Sequence, residues 1–215
     1  MNTLTVLPRG ERTRQEILRT SIDIASAEGL EGLTIGRLAA ELGMSKSGLF
    51  AHFGSKEDLQ LATLDTASRM FVSEVVRPSE RKEHGLPRLL SLLDAWIHSV
   101  DNTCNRGGCF FYAVSAEMDD RPGKVRDMIS KLTRKWIDTL TAEMDLAIRL
   151  GELEKSCDAE LVVFQLHGFV QEGNWFRRLH KSNRAFQMTR ESVYRVLESH
   201  ATEAGKAILS AGRSK

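Results

Sequence analysis

The chain has 215 residues, enough for one or two domains with a substantial hydrophobic core. Hydrophobic residues make up 41% and charged residues 27%, which argues against a disordered or fibrous chain. Thirty lysines and arginines against 29 acidic residues leave a net charge of +1, so charge alone does not indicate binding to nucleic acid or membrane. The apolar runs are too short to span a membrane, and the N-terminus lacks the pattern of a signal peptide. Three cysteines are too few for a disulfide scaffold. These features predict a cytoplasmic protein with reduced thiols and no membrane partner.

Proline is rare and leaves long stretches of the chain free to form helices. The four prolines are Pro8, Pro78, Pro87 and Pro122. Alternating strand patterns with tight hairpin turns are absent. The sequence therefore predicts an all-α protein. Residues 108–114 (GCFFYAV) stay ambiguous, because their aromatic content favours a strand whereas their neighbours favour a buried helix.

The N-terminal part predicts three helices joined by short turns. Each turn carries a glycine that can end a helix, and a Thr or Ser that can cap the next one. The predicted helices are Glu11–Glu28, Ile35–Leu42 and Lys46–Phe53. Short helices must share one core, whose predicted members are Ile22, Ala25, Leu38, Ala39, Leu42, Leu49 and Phe53. The second and third helices fit a helix-turn-helix, in which the later helix enters the major groove of DNA.

The rest of the chain predicts longer helices with the apolar spacing of a bundle. One begins after Ser55 and continues to about Val76, and a polar loop follows at residues 78–87. The later predicted helices are Leu86–Val100, about Gly123–Leu150, Asp158–His180 and Arg184–Leu209.

Residues 34–59, TIGRLAAELGMSKSGLFAHFGSKEDL, resemble the DNA-binding region of TetR-family transcriptional regulators. The resemblance covers about residues 11–65 and rests on an AAELG turn, an SKSGLF recognition helix and an FGSKE exit in fixed order. Residues 108–127 are similar, less specifically, to one branch of the C-terminal domains in that family. The resemblance implies a helix-turn-helix domain at residues 9–55. It also implies a helical ligand-binding and dimerisation domain at residues 56–212, joined to the first by the long helix after Ser55 as a lever.

The resemblance implies DNA contacts at the first helix of the motif, along the recognition helix and at its exit. These positions are Thr34, Arg37, Ser45, Lys46, Ser47, Gly48, Phe50, His52 and Lys56. Members of the family usually carry Tyr where this chain has Phe50, which lacks the hydroxyl that would bind a phosphate. Residues 34–56 hold three basic residues against one acidic residue, so we expect the DNA affinity to depend only modestly on salt.

Two further groups of residues are predicted in the C-terminal half. A cavity between helices is the usual ligand site of a bundle, and the predicted ligand-binding residues are Phe111, Trp136, His167 and Cys109. The resemblance implies that two chains dimerise through the last two long helices as a four-helix interface. The predicted interface residues are Phe164, Gly168, Gln171, Trp175, Val193, Leu197 and Ala204.

The predicted function is a ligand-responsive transcriptional regulator, a repressor that binds a palindromic operator as a homodimer and is released by a small-molecule effector. One alternative is thiol or electrophile sensing through Cys109 or Cys104, because nearby Arg106 and a helix N-terminus could lower a thiol pKa. Another alternative is a helical dimer without sequence-specific DNA binding. The sequence contains no recognised catalytic motif and no common zinc spacing, so it predicts neither an enzyme nor a metal or cofactor.

Overall fold

The computed structural model describes residues 9–103 and 105–213, and these residues form helices joined by turns and loops. Within those ranges there is no extended strand, only an isolated bridge between Leu153 and Ala201. The all-α prediction is confirmed, and the ambiguous segment around residue 110 is helical. The helices are α1 (Arg9–Gly32), α2 (Ile35–Leu42), α3 (Lys46–Phe50), α4 (Lys56–Phe71), α5 (Arg77–Ser79), α6 (Leu86–Asp101), α7 (Phe110–Met118), α8 (Lys124–Arg149), α9 (Ala159–Leu179), α10 (Ala185–Ser199) and α11 (Glu203–Arg213). A π-helical turn, Val72–Val76, connects α4 to α5.

The chain divides into two compact units, and neither is continuous in sequence. Among the described residues, the first unit contains 9–69 and 105–130, and the second contains 70–103 and 131–213. The predicted boundary between residues 55 and 56 does not coincide with this division. Most of α4 belongs to the same unit as the N-terminal helices, and α7 packs against α1 in that unit although it lies far along the chain.

The first unit is built around the small core that the sequence predicts. Ile22, Ala25, Leu38, Ala39, Leu49 and Phe53 are all buried, whereas Leu42 is only half-buried at the end of α2. The third helix is shorter than predicted and ends at Phe50. The His52 N–H bonds to the Leu49 carbonyl at 3.0 Å, which tightens the chain into a turn. This turn leads Phe53 into the core.

The turn between α2 and α3 has the chemistry that the sequence predicts. Thr34 begins α2, and its Oγ1 accepts a hydrogen bond from the Arg37 N–H at 3.1 Å. Gly43 ends the helix with φ 62°, a left-handed conformation that favours glycine. Local capping therefore defines both ends of this helix.

The core of the second unit lies between α6, α9 and α10. Leu89, Leu92, Leu93 and Ile97 of α6 are fully buried or nearly so. Gly173 of α9 allows α10 to come close, since a Cβ at this position would overlap Thr189 Oγ1. Close packing of α9 on α10 is therefore a feature of the single chain.

The prediction of one continuous last helix is wrong. The helix stops at Ser199, and α11 begins at Glu203. Thr202 Oγ1 donates to the Gly151 carbonyl at 2.7 Å, and the Thr202 N–H donates to the Glu152 carbonyl at 3.1 Å. These bonds to a distant loop replace helical bonds, so the break comes from tertiary contacts rather than from a local stop signal.

Candidate nucleic-acid interface

The recognition helix α3 is anchored by one buried side chain and capped by its own serine. Leu49 is fully buried, whereas Lys46 and Ser47 are exposed and Phe50 exposes 53% of its surface. Ser45 Oγ accepts the Gly48 N–H at 3.1 Å and lies 3.2 Å from Ser47 Oγ. The burial of Leu49 fixes the rotation of α3 and so determines which side chains it exposes.

Arg37, one of the predicted contacts, already pairs with two acids of the same unit. Its Nη2 lies 2.9 Å from Glu28 Oε1, and its Nη1 lies 2.6 Å from Glu41 Oε2. Hydrogen bonds to Glu28 and, with a smaller effect, to Glu41 raise the pKa of Arg37. The hydrogen bond from Arg37 in turn lowers the pKa of Glu41. Any contact from Arg37 to DNA must therefore compete with these carboxylates.

Lys56 at the start of α4 is also paired. Its Nζ donates to the Glu31 carboxylate and to the Glu31 carbonyl, both at 3.0 Å. The bond from Lys56 lowers the pKa of Glu31, so this carboxylate stays ionised. The acids that hold Arg37 and Lys56 reduce the positive charge offered to a phosphate backbone.

The exit of the recognition helix is held by Arg14, a residue that sequence reasoning missed. Its guanidinium carbon lies 4.4 Å from the centre of the Phe53 ring, and its Nη1 donates to the His52 carbonyl at 2.6 Å. The His52 side chain is half-buried next to this bond. Arg14 and His52 lie 38 residues apart in sequence, so no pattern of neighbouring residues marks this contact.

The end of α1 is held by α7 through a carboxylate that the sequence analysis also missed. Gly29 interrupts α1 with φ 77°, which leaves the following N–H groups without helical partners. Glu117 accepts hydrogen bonds from the N–H groups of Leu30 at 2.6 Å and Glu31 at 2.9 Å. The carboxylate therefore caps the short helical segment that leads to the recognition motif.

Two of the predicted ligand-binding residues lie together in the second unit. The rings of Trp136 and His167 are centred 5.4 and 5.3 Å from the Trp96 ring, and Phe71 lies 4.9 Å from Trp136. Trp136 Nε1 is buried and has no hydrogen-bond acceptor among the described residues. Burial lowers the pKa of His167, so its imidazole is neutral near pH 7.

The other two predicted ligand residues, Phe111 and Cys109, belong to the first unit. Phe111 is half-buried and packs edge-on against Phe110 with ring centres 5.3 Å apart. Cys109 precedes α7, and the loss of water around its thiol raises its pKa although backbone N–H groups act in the opposite direction. Burial therefore acts against the lowered thiol pKa that the alternative of thiol sensing requires. Cys104 lies outside the described residues.

The predicted interface residues separate into exposed and buried groups. Phe164 exposes 77% of its surface and Trp175 38%, and Gly168 and Ala204 are also exposed, whereas Gln171 is half-buried. Val193 and Leu197 are buried within the single chain, which corrects their prediction as interface residues. Leu161 and Leu179 extend the exposed apolar face of α9 at helical spacing.

No group of three His, Cys, Asp or Glu side chains converges as a metal site within residues 9–103 and 105–213. None of the helices in these ranges is long and apolar enough to cross a bilayer.

Comparison with known proteins agrees with the fold and with the helix-turn-helix. Residues 17–63 match the family model of bacterial regulatory proteins of the tetR family, and residues 85–193 match the tetracyclin repressor-like C-terminal domain. The HTH-type transcriptional repressor AcnR of Corynebacterium glutamicum is 39% identical to this chain over 79 residues. The aligned region covers 36% of this chain and 38% of that repressor.

Two solved structures share the architecture of this chain at low sequence identity. A TetR transcriptional regulator from Chloroflexus aurantiacus has a TM-score of 0.82 at 19% identity, over 91% of this chain and 98% of that one. AibR in complex with isovaleryl coenzyme A and operator DNA has a TM-score of 0.70 at 21% identity, over 83% of this chain and 95% of that one. The two family models together span most of the chain, and the protein therefore belongs to the TetR family of transcriptional regulators.

Proposed function

We propose that this regulator is a repressor that binds a palindromic operator as a homodimer and releases it when a small-molecule effector binds. The observation that carries the proposal is the recognition helix, which presents Lys46, Ser47 and Phe50 to solvent from a rigid anchor at Leu49. Side chains exposed on the second helix of such a motif are those that reach base edges in the major groove.

The exposed side chains of α3 suggest how the operator is read. Lys46 can donate to the O6 and N7 acceptors of guanine, and Ser47 can donate or accept at several bases. The Phe50 ring is suited to contact with the methyl group of thymine. Thr34 and Ser45 supply hydroxyl groups for phosphates, Gly48 allows a close backbone approach, and His52 supplies an imidazole. Arg37 and Lys56 supply charge once they leave their intramolecular partners.

A homodimer is supported by the apolar face of α9. Phe164, Trp175, Leu161 and Leu179 expose large apolar surfaces along one side of the helix, with Gly168 between them. An exposed apolar stripe of this size marks an interaction surface. A two-fold dimer would place its recognition helices about 34–36 Å apart, or a multiple of this distance, and would read an inverted repeat.

An effector site in the second unit is supported by the aromatic cluster around Trp136. A buried indole N–H without an acceptor is costly to leave unsatisfied, and a ligand carbonyl or ether oxygen would satisfy it. Neutral His167 offers a second polar group in the same cluster. Such a ligand would release the operator only if it binds more tightly to the dimer geometry that does not fit DNA.

The relatives are consistent with this proposal. AcnR is named as a transcriptional repressor, and AibR is described with both an acyl-coenzyme A and operator DNA. The regulator that we propose acts in the cytoplasm and catalyses no reaction.

The proposal is tested by selecting bound DNA from a randomised pool at near-physiological salt. We expect one inverted repeat to be enriched. Lys46→Ala should weaken binding to that repeat by about five- to 150-fold, the range for a lost base contact. Lys155→Ala removes the same charge from an exposed loop of the second unit and should change affinity little. A folded, dimeric protein that enriches no sequence would contradict the proposal.

A further inference from the structure

A loop outside the helix-turn-helix is seated on the end of α1. This loop comprises residues 105–108 and leads directly into α7. The Gly107 N–H donates to Ser26 Oγ at 2.9 Å. A Cβ at position 107 would overlap the Ser26 carbonyl oxygen, so only glycine allows the loop backbone to lie this close to α1.

Arg106 uses this position to bridge the first two helices. Its backbone N–H donates to Asp23 Oδ1 and its Nε donates to Asp23 Oδ2, both at 2.6 Å. Its Nη2 donates to Glu41 Oε1 at 3.0 Å. One arginine, 65 residues beyond Glu41 in sequence, thus joins α1 to the end of α2.

Glu41 is shared between two arginines. Its Oε1 accepts from Arg106, and its Oε2 accepts from Arg37 at 2.6 Å. Arg37 also binds Glu28 through Nε and Nη2. The result is a chain of alternating charges in which two guanidinium groups pair with three carboxylates, so that one negative charge remains in excess.

We propose that Arg106 is a positioning residue for DNA binding. By pairing with Glu41, Arg106 weakens the attraction between Glu41 and Arg37, so that the Arg37 side chain can contact DNA. The inference rests on the proposed function, because it assigns a regulatory contact to the same interface. A carboxylate that is already neutralised by one guanidinium attracts a second one less strongly. It also repels an approaching phosphate less strongly.

Loss of Arg106 has two electrostatic consequences for this network. Glu41 then pairs with Arg37 without competition from Arg106, so both Glu28 and Glu41 hold Arg37 more strongly in place. Asp23 also loses a partner, which adds uncompensated negative charge to the same surface. Because a dimer contains two such networks, a modest effect on each is multiplied at the operator.

The proposal is tested with a double-mutant cycle on the operator that the wild-type protein selects. Arg106→Gln should weaken binding by about three- to tenfold, from the usual size of exposed charge pairs counted in two protomers. In a Glu41→Gln background the same substitution should weaken binding by a clearly smaller factor than in the wild type, because the Glu41 carboxylate is gone and only Asp23 loses its partner. Arg126→Gln removes one positive charge from α8 in the same unit and serves as the matched control.

A steric variant tests the same contact without removing a charge. Gly107→Ala should lift the loop from α1 and weaken operator binding in the same direction as Arg106→Gln. Circular dichroism and sedimentation of each variant show whether it remains folded and dimeric. Equal affinities of wild type and Arg106→Gln, or an equal loss with and without the Glu41 carboxylate, would overturn the proposal.

Hydrogen exchange separates this inference from the proposed function. Arg106→Gln should speed amide exchange in the last turn of α2, around residues 39–43, because the bridge to α1 is lost. This measurement needs no DNA. Unchanged exchange there would overturn the role of Arg106 even if the operator were found, and failure to select an operator would contradict the proposed function alone.

Discussion

At the residue scale, two of the basic side chains expected at DNA are paired with acids of the protein itself. Lys56 is bound by Glu31, and Arg37 is bound by Glu28 and Glu41. Each pair is partly exposed, so each contributes little to stability and can be exchanged for a phosphate at small cost. This arrangement agrees with the modest dependence of DNA affinity on salt that the local charge predicts.

Removal of the Glu31 charge should strengthen DNA binding. In Glu31→Gln, Lys56 loses its ionic partner and becomes available to a phosphate, so operator affinity should rise by about two- to fivefold. The dependence of log affinity on log salt should become steeper by up to about 1.8 per dimer, for one additional phosphate contact in each half-site. Fluorescence anisotropy at several salt concentrations measures both quantities.

The matched control for Glu31→Gln is Glu16→Gln. Glu16 is exposed on α1 and its loss changes the net charge equally, but it takes no part in the pair with Lys56. We expect a smaller change in the salt slope for this variant. Equal slopes for the two variants would show that net charge, and not release of Lys56, is responsible.

At the element scale, the break between α10 and α11 shows how a distant loop can end a helix. Residues 151–154 donate to and accept from the chain at residues 200–202, and Gly205 lies directly against the same loop. A Cβ at Gly205 would overlap the Glu152 carbonyl oxygen. The start of α11 can therefore approach this loop only without a side chain at position 205.

Substitution of Gly205 tests this account of the break. Gly205→Ala should lower the free energy of unfolding by about 1–3 kcal/mol, because it forces backbone against backbone. Gly10→Ala, at an open helical position with no atom within 4 Å of the added Cβ, should be neutral or stabilising by up to about 1 kcal/mol. Urea denaturation at one fixed protein concentration measures both. Equal stabilities would mean that the loop moves aside freely.

At the scale of the whole molecule, assembly depends on which apolar side chains remain exposed after the single chain has folded. The Val193 and Leu197 side chains of α10 are buried within the single chain, whereas α9 retains an exposed face that includes Phe164 and Trp175. The dimer interface that we propose therefore relies on α9 more heavily than the sequence pattern indicates.

A charge on that face should prevent dimerisation. Phe164→Glu places two carboxylates, one from each protomer, in the proposed interface, where Phe164 is the most exposed large apolar residue of α9. We therefore expect monomers at micromolar concentration in sedimentation velocity. Leu150→Glu is the control, because Leu150 is also an exposed large apolar residue but directly follows α8 and is not part of α9. A Phe164→Glu protein that remains dimeric would exclude this face as the interface.

The sequence by itself determined the features that depend on near neighbours. Capping by Thr34 and Ser45, the glycine turn at Gly43 and the apolar spacing of the first helices are local, and they predicted the helix-turn-helix and most of its core. Side chains a few residues apart on a helix fix their own geometry, so their pattern can be interpreted without the rest of the fold.

Only the tertiary structure decided the contacts between segments that are far apart in sequence. Arg106 meets Asp23 across 83 residues, Glu117 caps Leu30 across 87, and the last helix is divided by a loop 50 residues earlier. It also decided that Val193 is buried within the chain while Phe164 stays exposed. Both side chains have the same apolar character in the sequence, and only the packing of neighbouring helices determines which of them loses its contact with water.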